Sequence, residues 1–266
     1  MYPHDLHLAG WSISIWNATF LLAVVVGYPL LRATMKMCRV APLPRLLLLR
    51  WMFTVYVCVL GAQLFAYAFD LHTSFLPPPT VGWARYYLDP LFGPKTLYGA
   101  IVMLPLSALA VSIPWGDLRY GRALDCWTPT LFAVLGISRL GCFLQGCCYG
   151  VRSHWFGMPF PPEAPAYYAQ LREQLIDAGS WTLPVVPTQL IEATALFAFA
   201  AASWVALRRG ATTIFPAGVA AYSALRFVLE FVRADPDRNV WGPLSTSQWI
   251  ALIILAGYVL WRSWRR

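Results

Sequence analysis

Two arginines lie within stretches that are otherwise apolar. Arg139 falls in Gly136-Ile137-Ser138-Arg139-Leu140-Gly141-Cys142-Phe143-Leu144-Gln145-Gly146, and Arg226 in Leu225-Arg226-Phe227-Val228-Leu229-Glu230-Phe231-Val232-Arg233. An arginine at mid-membrane costs about 2.5–3.5 kcal/mol on insertion scales, so each implies a partner or an anionic ligand. Spacings of four and three put Arg226, Glu230 and Arg233 on one helical face, where Glu230 can hold either guanidinium. Two guanidiniums against one carboxylate leave positive charge over. The planar guanidinium fork donates paired hydrogen bonds to phosphate, so an anionic headgroup is the expected ligand. The plainer readings are an interhelical ion pair for the second cluster and snorkelling of Arg139 to the interface.

Other groups fall near these arginines. Ser138, Cys142 and Gly146 recur every four residues, which makes a narrow small-residue stripe along one helix face. Such a stripe lets a helix or a lipid chain approach closely. Pro187-Thr188-Gln189-Leu190-Ile191-Glu192 reads as a helix start with Thr188 as cap, and Gln189 and Glu192 share a face. Tyr98, in Thr96-Leu97-Tyr98-Gly99-Ala100, could donate to a phosphate or glycerol oxygen, or it is a belt tyrosine. Cys142, Cys147 and Cys148 gather near one helix end. Their spacing is neither C-x-x-C nor a tetrahedral zinc set, and no histidine lies among them. Packing or a disulfide is expected there, with thiol chemistry as the alternative. Cys38 is expected to face the cytoplasm, and Cys58 and Cys126 to pack. No metal and no cofactor is implied.

The elements that must position these groups are membrane helices. The chain has 266 residues, 59% of them hydrophobic and 12% charged, with a mean hydropathy of +0.56. Soluble domains carry about 25% charged residues. Seven apolar stretches approach the roughly 20 residues a span needs: about 12–31, 46–69, 96–114, 123–146, 188–207, 212–232 and 247–263. The expectation is an all-α integral membrane protein, one transmembrane domain over 1–266. Arg32 is the first basic residue, so a signal-peptide n-region is missing and the first span is expected to be retained.

Basic residues orient the spans. One side carries Arg32, Lys36, Arg39, Arg45, Arg50, Arg119, Arg122, Arg208, Arg209, Arg262, Arg265 and Arg266; the other carries Arg85, Lys95, Arg152, Arg172, Arg233 and Arg238. The richer side is cytoplasmic, which puts the N-terminus outside and the C-terminus inside. This asymmetry also explains the net charge of +8 without nucleic acid as partner. The outer connections, about 70–95 and 149–187, are long and proline-rich, and 165–179 is polar enough for a short surface helix. Long ordered loops tend to carry function, so the working face is expected outside, as a small head in the periplasm.

These motifs resemble a family. Arg139 to Gly146, followed by Tyr149-Gly150, is similar to the G-R-x-G-N-F-x-N-G-E-x-x-G signature of the prolipoprotein diacylglyceryl transferases. Pro187 to Glu192 resembles that family's H-P-[ST]-Q-L-Y-E. Arg226 to Asp237, followed by Gly242-Pro243-Leu244-Ser245-Thr246-Ser247-Gln248, is similar to its R-F-x-x-E-F-x-R-x-x-D…G-x-L-S-x-x-Q. The resemblance implies a bacterial inner-membrane enzyme with a periplasmic active face. Such an enzyme moves diacylglycerol from phosphatidylglycerol to the lipobox cysteine of a prolipoprotein peptide, forming a thioether and releasing glycerol phosphate. By the same resemblance Arg139 and Arg226 are the essential arginines, with Tyr98 as candidate acid/base. Arg233, Glu230, Gln189, Glu192, Gly141, Cys142 and Gly146 would contact substrate.

Departures from the family pattern fall on the acceptor side. Tyr98 and Val186 stand where the family has histidines, Ile191 where it has tyrosine, Cys142 and Cys147 where it has asparagine and glutamate, and Trp16-Asn17 near its N-terminal tyrosine-glycine pair. Three other readings stay open. A relative could use a non-lipoprotein acceptor, the cysteines could make a membrane thiol oxidoreductase, or the chain could transport lipid or peptide, with Pro105 and Pro216 breaking spans.

Overall fold

A computed structural model describes residues 5–8, 11–39, 44–69, 97–112, 120–234 and 240–265; the loop expected at about 70–95 lies outside them. Eight helices occur among the described residues: α1 (Ile15–Met37), α2 (Pro44–Phe69), α3 (Leu97–Ser112), α4 (Tyr120–Gln145), α5 (Pro165–Arg172), α6 (Thr188–Arg208), α7 (Ile214–Leu229) and α8 (Thr246–Trp264). Two short antiparallel pairs accompany them, β1 (Asp5–Leu8) with β2 (Trp11–Ser14), and β3 (Val240–Trp241) with β4 (Leu244–Ser245).

Among the described residues, four helices are long and apolar enough to cross a membrane: Ile15–Met37, Arg45–Ala66, Gly121–Gln145 and Thr188–Arg208; Tyr98–Ser107 and Ile214–Leu229 are shorter apolar helices. Large apolar side chains point outward, with Val25 at 69% and Ile253 at 70% exposure. A water-soluble surface keeps such patches small, whereas lipid accepts them. Pro105 sits inside an unbroken α3, and Pro216 in the first turn of α7, where a missing N–H costs little.

Three expectations need correction. The first span starts at Ile15 rather than 12, because Trp11–Ser14 pairs with Asp5–Leu8 and the Ser14 hydroxyl accepts from Asn17 N–H at 3.2 Å. Pairing and cap together fix the boundary. The polar helix at 165–179 stops at Arg172; Gln174 (φ 56°) and Gly179 (φ 83°) turn the chain afterwards. Cys126 packs in the interior as expected, but packing is not its whole role: it is disulfide-bonded to Cys38 across 88 residues, Cα atoms 6.6 Å apart.

The chain divides into two compact units. One comprises Tyr28–Pro129 and Ser203–Phe215. Here α2 and α3 approach closely, since a Cβ on Gly99 would lie 2.6 Å from Ala62 Cα. Asp125 is buried and accepts from the N–H groups of Thr213 (3.0 Å) and Phe215 (2.9 Å), satisfying donors at the start of α7 that the helix itself leaves open. Tyr98 is buried in this unit, in the first turn of α3.

The other unit comprises Met1–Gly27, Thr130–Ala202 and Pro216–Arg266 and carries all three motifs. Between α4 and α6 the chain forms an ordered head with its own core of Tyr149, Phe160, Ala164, Ala166, Tyr167 and Val185. Gln170 ties it twice to Leu183, accepting from the N–H at 2.8 Å and donating to the carbonyl at 3.2 Å. At the C-terminal side, Ser245 and Gln248 form a reciprocal capping box that starts α8.

Candidate active site

The three motifs converge at Gly150. Its N–H donates to Val186 O at 2.8 Å, Val151 N–H to Val232 O at 2.8 Å, and Ala234 N–H to Tyr149 O at 3.2 Å. A Cβ on Gly150 would meet Val232 O at 2.8 Å and Thr188 Cγ2 at 2.9 Å, so only glycine lets the three segments close here. The same strand-like bridge pairs Gly150 with Arg233 and fixes where the Arg233 side chain starts.

Beneath this junction runs a chain of five buried charges. Arg139 Nε lies 3.0 Å from Glu192 Oε2, and Arg226 Nη1 lies 3.9 Å from the same oxygen. Arg226 Nη2 is 3.0 Å from Glu230 Oε2, and Arg233 Nη1 is 4.0 Å from it. The Tyr222 hydroxyl donates to the other Glu192 oxygen, Oε1, at 2.9 Å. None of the five side chains exceeds 10% exposure. Burying one charge is expensive, whereas burying an alternating series is tolerable because each ion faces its opposite. Three guanidiniums face two carboxylates, so the series carries one surplus positive charge.

The expected Glu230 pairing with Arg226 and Arg233 is thus present, and Glu230–Arg233 keeps its spacing through the turn that follows α7. Glu192 links Arg139 to Arg226, a pairing between helices that one-dimensional spacing does not display. Arg226 Nη1 makes no hydrogen bond among the described residues.

At the end of α4 the chain turns back on itself. Gly146 (φ 74°) donates to Phe143 O at 3.0 Å and Cys147 N–H to Cys142 O at 3.2 Å. This is the glycine-closed helix end of the Schellman type. The turn lays Cys147 and Cys148 beside Cys142, and the three sulfurs lie within 4.8 Å of one another. The Pro-Thr-Gln motif holds them there. Thr188 Oγ1 donates to Cys148 O at 2.6 Å, and Gln189 Nε2 to Cys147 O at 2.5 Å. Arg139 Nη1 reaches Cys142 Sγ at 3.8 Å, which joins the cysteines to the charge series. The neighbouring Cys142 and Cys147 thiols, then the fields of Arg233 and Arg139, hold the Cys148 thiol well below the ordinary thiol range.

Of the residues singled out from sequence, Arg139, Arg226, Arg233, Glu192, Glu230, Gln189 and Cys142 come together in this unit. Gly146 provides the turn and backs onto Ala164, 2.8 Å from its would-be Cβ. Gly141 lies against Thr19 and Trp16 of α1. Tyr98 belongs to the other unit. Apart from the charges, a cavity of about 590 Å³ opens on the head beside Arg152, His154, Gln170 and Glu173.

Residues 3–263 match the family described as prolipoprotein diacylglyceryl transferase. The chain belongs to that family. Among its relatives, phosphatidylglycerol–prolipoprotein diacylglyceryl transferase 2 of Clostridium perfringens is 32% identical over 173 residues, 62% of this chain and 59% of that protein. The transferase of Clostridium tetani is 30% identical over 60% of this chain and 59% of its own length, and that of Dehalococcoides mccartyi 29% identical over 76% and 74%. The chain thus spans 59% of the length of the first two relatives. Within this family member, sequence reasoning missed Tyr222 and the anchoring role of Thr188. Tyr222 stands four residues before Arg226, one turn away on the same face, which was signal enough to include it. The Thr188–Cys148 bond joins residues 40 apart and has no local signature.

Proposed function

We propose that this protein transfers the diacylglyceryl group of phosphatidylglycerol to the cysteine thiol of a prolipoprotein, releasing glycerol phosphate. The observation that carries this reading is the surplus positive charge of the buried series, in a member of the diacylglyceryl transferase family. Two carboxylates serve three guanidiniums: Glu192 lies between Arg139 and Arg226, Glu230 between Arg226 and Arg233, and Arg226 Nη1 keeps a donor unspent. A phosphate would take that donor and that charge.

On this reading the lipid enters from the side and its phosphate meets Arg139 and Arg226. Arg233, Glu230, Glu192 and Gln189 position the two arginines and the glycerol, Cys142 lies beside Arg139, and Gly141 and Gly146 allow the close packing that holds this frame. The acceptor sulfur attacks the glyceryl carbon that bears the phosphate. A carbon–sulfur bond forms, the carbon–oxygen bond breaks, and its electron pair leaves on the phosphate oxygen. Guanidiniums fixed in a dry site stabilise that growing charge better than water, because they need no reorganisation. Tyr98 is proposed as the acid: a tyrosine hydroxyl ordinarily ionises near about pH 10, so at neutral pH it suits giving a proton rather than taking one.

We further propose one transmembrane domain of seven spans in the bacterial inner membrane, N-terminus outside and C-terminus cytoplasmic, with the loops at about 70–95 and 149–187 forming the periplasmic face. The excess of arginines on one side supports this. On that topology the Cys38–Cys126 pair faces the reducing compartment and is expected as two thiols in the cell.

The test is transfer of labelled diacylglycerol to a lipobox peptide in membranes carrying Arg139→Ala or Arg226→Ala. Each is expected to lose transfer about 10²–10³-fold, the effect of removing one donor to a developing oxyanion. Full transfer by both variants, each shown to fold, would remove the mechanism.

A further inference from the structure

The three cysteines at the end of α4 have no part in the charge series beyond the Arg139–Cys142 contact. We propose that Cys142, Cys147 and Cys148 bind one Zn2+ and leave its fourth position open for the thiol of the acceptor. The role at that position rests on the transferase reading above; the metal site does not.

Geometry carries the site. The three sulfurs lie within 4.8 Å of one another, and zinc–sulfur bonds of about 2.3 Å set the sulfurs of a tetrahedral site about 3.8 Å apart. The largest separation thus exceeds the tetrahedral spacing by about 1 Å. The backbone is already committed. Gly146 turns the chain, Cys148 is held at φ 59°, a conformation a non-glycine residue adopts at a cost, and Thr188 and Gln189 clamp the two carbonyls. A set of groups held this firmly before the metal arrives is what a preformed site requires. Cys142 is buried, while Cys147 and Cys148 are partly exposed.

Chemistry selects the ion and its role. Thiolates select soft or borderline metals. Zinc with three protein ligands keeps an open position and does no redox chemistry. Three thiolates around Zn2+ carry one net negative charge, and Arg139 is placed to face it, 3.8 Å from Cys142 Sγ. The charge series offers the acceptor no base of its own, because both carboxylates are engaged by guanidiniums. A thiol that coordinates zinc is deprotonated outright. The acceptor would give its proton to water on binding, attack the glyceryl carbon as a zinc-held thiolate, and leave the metal as a thioether once the carbon–oxygen bond has broken. Gln189 Oε1, buried without a hydrogen-bond partner beside Cys147, would accept an N–H from the incoming peptide.

The experiment uses the full chain in detergent. Metal content is measured after incubation with Zn2+, and Co2+ is substituted as the spectroscopic probe. The expected result is one Zn2+ per chain and thiolate-to-cobalt absorption that strengthens when a lipobox peptide is added, but not its Cys→Ser form. Cys142→Ser, Cys147→Ser or Cys148→Ser should each weaken binding at least about tenfold, and Gln189→Ala about 10–100-fold through the lost anchor. Chelating the wild type, which needs no variant to fold, should lower transfer at least about tenfold, with recovery on adding Zn2+. Zn2+ uptake no higher than that of the triple serine variant, a disulfide within the trio, or full transfer by metal-free protein would each overturn the proposal, and the last would leave the transferase reading standing. Zinc and peptide binding without any lipid transfer would support the site and count against that reading instead.

Discussion

The charge series and the cysteine turn are neighbours built in opposite ways. Side chains hold the charges: Arg139, Glu192, Arg226, Glu230 and Arg233 position one another, and the helices beneath supply only the starting points. The main chain holds the cysteines, through a glycine turn and two carbonyls clamped by Thr188 and Gln189. Changing one charge should therefore disturb all the others. Changing one anchor should move the sulfurs yet leave the charges intact.

The largest effect expected is from Glu192→Gln. It leaves Arg139 without its carboxylate while Arg226 keeps Glu230, and breaking a buried pair costs about 3–5 kcal/mol. Thermal unfolding in detergent should register that loss, and unchanged stability would mean the charges are not coupled. Arg226→Lys keeps the charge but loses the fork. It should lower transfer toward the roughly 10²-fold end of the range for a lost donor, with little change in stability. Thr188→Val leaves the Cys148 carbonyl without its donor, at about 1–3 kcal/mol. Here metal binding or cysteine labelling should change while phospholipid binding should not. Gly146→Ala, at φ 74°, should cost about 1–2 kcal/mol and act like Thr188→Val. If either anchor variant weakens lipid binding as much as the charge variants do, the two regions are one.

Alkylation gives the smallest and most local contrast. The Cys148 thiol is held low by its neighbours Cys142 and Cys147, whereas Cys142, Cys148 and burial hold Cys147 high. A lowered thiol stays ionised, and so nucleophilic, as pH falls below the ordinary thiol range. In metal-free protein, iodoacetamide near neutral pH should label Cys148 before Cys147. The reverse order would mean that the turn is arranged differently.

The same contrast explains how far the sequence could be read. A charge in an apolar run is visible in one dimension, so Arg139, Arg226, Glu192, Glu230 and Arg233 stood out. The helices carrying them ran close to expectation, as with 188–207 against Thr188–Arg208. The Glu192 bridge between Arg139 and Arg226 was hidden, because it depends on how helices pack. The cysteines are visible as a group, but their spacing matches no four-ligand zinc set. What gathers three of them is a helix end in the left-handed conformation and hydrogen bonds to residues 40 and 42 positions away, for which no spacing rule exists. The Cys38–Cys126 bond, 88 residues apart, was beyond reach for the same reason.

The central claim is that Arg139 and Arg226 together receive a lipid phosphate. Mass spectrometry of the intact protein released from detergent, after exposure to equal phosphatidylglycerol and phosphatidylcholine, tests it without requiring turnover. Wild type should retain phosphatidylglycerol selectively, and Arg139→Ala and Arg226→Ala should each lose that preference. Equal retention of the two lipids by the wild type, or an unchanged preference in both variants, would contradict the account.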